Sequence, residues 1–175
     1  MTSASITVLT SAARNPYAAF LGEKNPMRVL AATSARLKKV VEGLTPRQIA
    51  RRPQPDKWSI AEMVAHLADV ELVFNVRCRL MLFEENPTLA PFAQDAWMRG
   101  WQREREPFAE TMNRFQVLRG SMLRLLRGAS PSDLARTGRH IEYGTEQVSD
   151  YVAKLAGHDL NHLTGLESLR KRMFS

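Results

Sequence analysis

Residues 59–83 read SIAEMVAHLADVELVFNVRCRLMLF, a pattern that is typical of one long helix. Ser59 and Glu62 have the spacing of a capping box, in which each side chain accepts a hydrogen bond from the backbone N–H of the other residue. Apolar side chains then recur at helical intervals as far as Phe83. Because this period gives an α-helix one apolar face, the stretch predicts a helix that packs against other elements of the fold.

Three other segments of the 175-residue chain carry apolar residues at the same spacing. A capping residue or a proline marks the start of each predicted helix, and a glycine marks the end of two of them. The predicted helices run from Asn25–Pro26 to Gly43, over roughly residues 106–127, and from a Thr145 cap to about Met173. Together with residues 59–83, they make helix the dominant predicted structure.

Four long helices predict an all-α fold, a four-helix bundle with short additional helical turns. The short turns are expected at Thr45–Pro46 and Ser130–Pro131, where a capping residue precedes a proline. Residues 86–105 form a long connection between the second and third helices, and such connections are usually partly helical or functional. We expect an N-terminal extension over residues 1–24 and the bundle over residues 25–175.

The composition of the chain limits the cellular compartment and the binding partners that we expect for the protein. The single cysteine, Cys78, excludes an intrachain disulfide and is expected to be buried and unreactive. No apolar run approaches the ~18–20 residues of a membrane span, and no leader-like segment is evident, so we expect a cytoplasmic location and no membrane partner. The net charge of +7 comes from scattered, interleaved charges, which predicts a solvated surface and no nucleic-acid partner.

Residues 6–9 are faintly strand-like, but no sustained alternation of apolar and polar residues predicts a sheet.

The histidines are the candidates for chemistry. His158 and His162 are four residues apart on the predicted fourth helix, a spacing that places both imidazoles on one face. They continue the apolar stripe of that helix, and His66 borders the apolar face of the second helix. A shared metal ion would satisfy all three rings; three separate core histidines, each bonded to a neighbour, are the alternative. His140 lies in a glycine-flanked turn and is expected at the surface.

Two acidic residues adjoin these histidines. Asp69 is one turn beyond His66, and Asp159 directly follows His158. Either carboxylate could orient an imidazole from outside the ligand set, which fixes the ring tautomer; a solvated charge is the alternative for each. Gly157 sits inside the predicted fourth helix, where it could allow another helix to approach closely near the histidines.

The segment at residues 57–71, KWSIAEMVAHLADVE, resembles the start of the second helix in DinB-like proteins. In that family a metal-binding histidine lies seven positions after the serine of a Trp-Ser pair, as His66 does after Ser59. The segment at residues 156–163, AGHDLNHL, resembles the family's His-Asp-x-x-His signature. The resemblance extends over about residues 25–172, and the two motifs are specific in combination.

The resemblance implies a four-helix bundle with a divalent metal ion, zinc or nickel most often, held by three histidines. Those histidines correspond to His66, His158 and His162. It also implies a homodimer, and a link to transferases and isomerases that use bacillithiol, mycothiol or glutathione. Gly165 stands where relatives often carry a glutamine, so a role for that amide is not expected here.

Three protein ligands leave coordination positions open, which is typical of a catalytic metal site. The leading hypothesis is a metal-dependent thiol S-transferase that acts on a small electrophilic substrate, with Asp69 or Asp159 orienting a ligand or moving a proton. Arg77, or an arginine in residues 99–105, could hold an anionic thiol, with surface solvation as the alternative. The other hypotheses are a metal-dependent hydrolase and a non-catalytic metal- or ligand-binding dimer.

Overall fold

A computed structural model describes residues 15–104 and 106–174. Helices dominate these residues, with three short strands between them. In chain order the elements are α1 (Ala18–Leu21), α2 (Pro26–Val41), α3 (Pro46–Ala50), α4 (Ile60–Phe83), β1 (Thr88–Leu89), α5 (Gln94–Glu104), α6 (Phe108–Arg127), α7 (Pro131–Leu134), β2 (Thr137–His140), β3 (Gly144–Gln147) and α8 (Val148–Phe174). The four long helices α2, α4, α6 and α8 are the bundle that the sequence predicts.

Local side-chain chemistry fixes where the helices begin. The carboxylate of Glu62 accepts the backbone N–H of Ser59 at 2.8 Å, and the Ser59 hydroxyl accepts the N–H of Glu62 at 3.2 Å. Asn25 caps α2 by accepting the N–H of Arg28 at 3.1 Å. Capping boxes also start the short helices α3 and α7, as expected. These starts are readable from the sequence because each cap bonds within its own first turn.

The long helices pack around two apolar clusters. Helix α4 contacts α6 and α8, and α2 contacts α8 and α6, so each long helix has two neighbours in the bundle. One cluster includes Leu30, Met81 and Leu155, and the other includes Leu37 and Phe115. Between these clusters, the middle of α4 and of α8 carries buried polar side chains.

The expectation that the chain forms no sheet is wrong. Strand β1 pairs with β2 in parallel, and β2 pairs with β3 antiparallel, so β2 is the central strand. Thr145 pairs with Arg139 within this hairpin and does not cap α8, which begins at Val148. Strands of two to four residues are too short for alternation to show in the sequence. The strand-like residues 6–9 lie outside the described residues.

The long connection after α4 is partly helical, as expected, since it contains α5 as well as β1. The division of the chain at residue 24 stays a prediction. Helix α1 lies before that point and packs against α8.

Gly157 permits a close contact between α8 and the residue that precedes α1. A Cβ atom at Gly157 would lie 2.5 Å from the carbonyl oxygen of Tyr17 and 2.9 Å from its Cβ. The close approach is therefore made by Tyr17 of the N-terminal segment and not, as the sequence suggested, by a helix. Glycine is required here because any side chain would displace this backbone.

The variant Gly157→Ala should lower the free energy of unfolding by about 1–3 kcal/mol, because the added methyl group overlaps Tyr17. Gly165→Ala, on the exposed side of the same helix, is the matched control: its Cβ meets nothing within 4 Å. The control should gain about 0.5–1 kcal/mol, since alanine favours helix over glycine. Urea unfolding measures both, and a Gly157→Ala variant as stable as the wild type would contradict the packing.

Candidate metal centre

The structure brings three imidazoles together between α4 and α8. Nε2 of His66 lies 3.1 Å from Nε2 of His158, and the ring of His162 lies 4.8 Å from His66 and 4.4 Å from His158 between centroids. One ring nitrogen from each of the three lies within 4.8 Å of the others. His158 and His162 share one face of α8 because they are separated by four residues, and His66 reaches them across the helix interface.

This arrangement suits one shared cation. Imidazole nitrogens bind zinc at ~2.0–2.1 Å, so two ligands of one ion lie no more than about 4.2 Å apart. The 3.1 Å between the two Nε2 atoms satisfies that limit, and the 4.8 Å within which all three ring nitrogens lie exceeds it by about 0.6 Å, so a small movement of one ring would bring the third nitrogen within reach of a shared ion. Nδ1 of His158 is buried and has no hydrogen-bond partner among the described residues. The alternative left open by the sequence was three histidines each bonded to its own neighbour; in the structure, His66 and His158 lie within hydrogen-bonding distance of each other.

Burial keeps the three rings uncharged. Desolvation, together with the nearby His162, lowers the pKa of His66 to about 3. The pKa of His158 is lowered by burial and by the other two histidines, and burial also lowers the pKa of His162, where the charge of Asp159 opposes the shift. Neutral imidazole is the form that binds a metal ion.

Aromatic side chains hold the imidazoles from both sides. Trp58 lies 5.2 Å from the ring of His66, and Tyr17 meets His158 edge to face at 5.1 Å. Tyr17 comes from the segment before the bundle, so the sequence pattern of the bundle helices gave no signal of this contact. Both contacts limit rotation of rings that share few hydrogen bonds.

Two cavities adjoin the cluster along α8. His158 borders a cavity of about 350 Å³ beneath the β2–β3 hairpin, and His162 borders one of about 720 Å³ that Trp58 and Met63 also line. Both are large enough for a small molecule.

Comparison with known proteins identifies the family of the chain. The model of the DinB superfamily matches residues 30–164. The chain belongs to the DinB superfamily. A protein of Oceanobacillus iheyensis, provisionally named a metal-dependent hydrolase, is 29% identical over 136 residues, which is 78% of each chain. A Bacillus mycoides protein with the same kind of name is 24% identical over 137 residues, covering 78% of this chain and 79% of its own.

A solved structure has a similar fold. YfiT from Bacillus subtilis, described as a probable metal-dependent hydrolase with an unusual four-helix bundle topology, superposes with a TM-score of 0.77 at 21% identity. The match covers 99% of this chain and 93% of YfiT. Likeness at this identity establishes the fold of this DinB-superfamily chain.

His140 and Arg77 are not at the surface of this DinB-superfamily chain. His140 is 3% exposed because it lies on the central strand β2, so the expectation of a surface role is wrong. Arg77 is 8% exposed and borders the same 350 Å³ cavity, which rules out simple solvation. Cys78 is buried as expected, and burial raises the pKa of its thiol to about 12.

The two candidate carboxylates have different surroundings. Asp69 accepts a hydrogen bond from Arg114 at 2.8 Å and borders a separate cavity, together with Trp101. Asp159 is completely buried, so it is not a solvated charge. Its Oδ2 accepts hydrogen bonds from the Thr33 hydroxyl at 2.7 Å and from Arg119 at 2.6 Å, while its Oδ1 has no hydrogen-bond partner among the described residues.

Arg119 joins all four long helices behind the histidine cluster. From α6 it donates to Glu71 of α4 at 2.6 and 2.9 Å, to Asp159 of α8, and to the Leu30 carbonyl of α2 at 3.0 Å. The two carboxylates raise its pKa against the opposing effect of burial. The sequence pattern did not single out Arg119 as a functional residue. The feature that could have indicated its role is the presence of a charged residue between Phe115 and Met122 on the apolar face of α6.

The variant Arg119→Met should lower the free energy of unfolding by about 3–5 kcal/mol, because it leaves Glu71 and Asp159 buried without their cation. Arg36→Met is the matched control. It removes an ion pair to Glu167 whose side chains are 36% and 47% exposed, and should cost less than about 1 kcal/mol. Urea unfolding measures both; equal losses would show that the buried network is not what stabilises the bundle.

Proposed function

We propose that this DinB-superfamily protein is a metal-dependent hydrolase of small molecules, with a divalent cation held by His66, His158 and His162. The observation that carries the proposal is the 3.1 Å separation of two Nε2 atoms from different helices, with the third imidazole beside them. The provisional names of the relatives from Oceanobacillus iheyensis and Bacillus mycoides support the hydrolase assignment. Imidazole ligands suit zinc and nickel, which are the ions that we propose.

Three imidazoles leave coordination positions for substrate and water. When bound, such an ion supplies Lewis-acid activation of an acyl oxygen and of water at neutral pH. In hydrolysis, the oxygen of water bonds to the acyl carbon, the C–O or C–N bond breaks, and the leaving alcohol or amine takes up a proton. The chain contributes neutral ligands, cavities that restrict water, and aromatic walls that fix the rings.

We assign the two carboxylates supporting roles. Asp159 is buried and held by Arg119 and Thr33, and its charge opposes the lowering of the pKa of His162 that burial causes. Asp69 pairs with Arg114 and keeps the middle of α4 against α6. Both are therefore positioning residues for the helices that carry the histidines.

Loss of one histidine should abolish tight metal binding. His162→Ala should lower the affinity for zinc or nickel by more than the ~10–100-fold that loss of a supporting residue costs. His140→Gln is the control, because His140 is a buried histidine outside the cluster. Elemental analysis after dialysis, with competition against a chromophoric chelator, measures both. Unchanged metal content in His162→Ala would contradict the ligand set.

A thiol S-transferase is the second candidate, because Arg77 lines the cavity beside His158 and could hold an anionic thiol such as bacillithiol, mycothiol or glutathione. Turnover of nitrophenyl esters and anilides by the metal-loaded protein, measured with and without each thiol, separates the two. Hydrolysis should proceed without thiol, stop when a chelator removes the metal, and return with zinc or nickel. An absolute thiol requirement would favour the transferase, and no turnover in either assay would favour a non-catalytic binding protein.

We also propose a homodimer, for which an apolar stripe on α4 and α6 is the support. Val76 and Phe83 are 51% and 72% exposed on α4, and Val117 is 61% exposed on α6. Light scattering after gel filtration should give the mass of two chains, and Val76→Glu should give one. Ile141→Glu, at an exposed position on the hairpin, is the control and should stay dimeric. A monomeric wild type would contradict the proposal.

Within the described residues, no helix combines the length and the apolar character that crossing a membrane requires. The cytoplasmic location stays a prediction.

A further inference from the structure

Arg77 is a buried cation without an anion. Its guanidinium donates to the Tyr151 hydroxyl at 2.7 Å and to the Ala90 carbonyl, and both acceptors are neutral. No carboxylate of the described residues lies within 4.0 Å of it. A guanidinium has five N–H donors, so most of its hydrogen-bonding capacity is unused. Burial of an unpaired charge is costly, which indicates that a partner comes from outside the chain.

The other buried cations among residues 15–104 and 106–174 each have a carboxylate. Arg119 pairs with Glu71 and Asp159, and Lys154 pairs with Glu146. Lys154 and Glu146 line the same cavity as Arg77, so what distinguishes Arg77 is that it has no carboxylate partner among the described residues. Within this one cavity, the fold pairs Lys154 with a carboxylate and leaves Arg77 without one.

The cavity around Arg77 has polar and apolar walls. His140 accepts backbone N–H groups of Glu142 and Tyr143 at its Nδ1, at 3.2 and 3.3 Å, which leaves the proton of the neutral ring on Nε2. Burial, with the nearby Arg77 and Lys154, lowers the pKa of His140 to about 4, so the ring is neutral at pH 7. The apolar part of the wall includes Val70, Phe74 and Phe92, and the charged side chains Glu142, Glu146 and Lys154 also line the cavity, with Glu146 already paired with Lys154.

The same cavity reaches the histidine cluster. Tyr151, which accepts the hydrogen bond from Arg77, lies seven residues before His158 on α8. Two turns of helix rise about 10 Å, so the Arg77–Tyr151 contact and His158 are separated along α8 by about that distance, and both border the cavity. A ligand that spans it has an anionic end, an apolar middle and an end beside the metal site.

We propose that Arg77 binds the carboxylate of a small acid whose hydrolysable acyl group lies at the other end of a short apolar chain, beside His158. The substrates are then N-acyl or O-acyl derivatives that carry a free carboxylate. Placement of the acyl group rests on the proposed function, whereas the carboxylate site rests on Arg77 alone.

Hexanoate and its uncharged analogue hexanamide test the carboxylate site. Protein-observed NMR titration of the full chain loaded with zinc should show at least tenfold tighter binding of hexanoate. Arg77→Met should abolish that preference. Arg79→Met is the matched control: it lies on the same helix and removes the same charge, but Arg79 bonds to Asn75 and Ser121 and does not line the cavity. The control should keep the wild-type preference.

The same titration after removal of the metal by a chelator separates this proposal from the hydrolase assignment. Preference for hexanoate should survive chelation, because Arg77 and not the metal holds the carboxylate. Equal affinities for the two ligands in the wild type would overturn the carboxylate site even if Arg77→Met failed to fold. The carboxylate site would also be overturned if chelation removed the preference for hexanoate, or if Arg77→Met retained that preference. Failure to hydrolyse any ester, with the preference intact, would overturn the proposed function alone.

Discussion

The contact between Arg119 and two buried carboxylates is the interaction on which the rest of the structure depends. Arg119 is 1% exposed, and its guanidinium reaches Glu71, Asp159 and the Leu30 carbonyl, so one side chain contacts three helices from a fourth. One cation between two carboxylates leaves a formal charge of −1 if all three groups are ionised. Such a network is stable only where geometry satisfies it, so it fixes the order and rotation of the helices more strictly than apolar contacts do.

This constraint places the candidate metal centre. Asp159 lies between His158 and His162 on α8. Because Arg119 anchors its carboxylate, the direction in which both imidazoles project is fixed as well. Glu71 does the same for α4, which carries His66. His66 and His158 can therefore approach to 3.1 Å between their Nε2 atoms.

The small sheet gives the bundle its cavity. The β2–β3 hairpin brings His140 to the end of the bundle, where it meets Arg77 of α4 and Tyr151 of α8 around one space. A bundle of this kind otherwise fills its interior with apolar side chains. Here the strands cover polar groups that stay accessible to a ligand, and the position of His158 in the same wall connects that space with the metal centre.

The sequence by itself determined the four helices, the caps at Asn25, Thr45, Ser59 and Ser130, and the three histidines, because each depends on spacing within one helix or on a motif. Only the tertiary structure decided that His140 and Arg77 are buried, that Tyr17 packs on Gly157, and that Arg119 joins the helices. These contacts link residues far apart in the chain, such as Arg119 and Asp159, which are 40 positions apart. Periodicity reports which face of a helix is apolar; it carries no information about which side chain of another helix stands opposite.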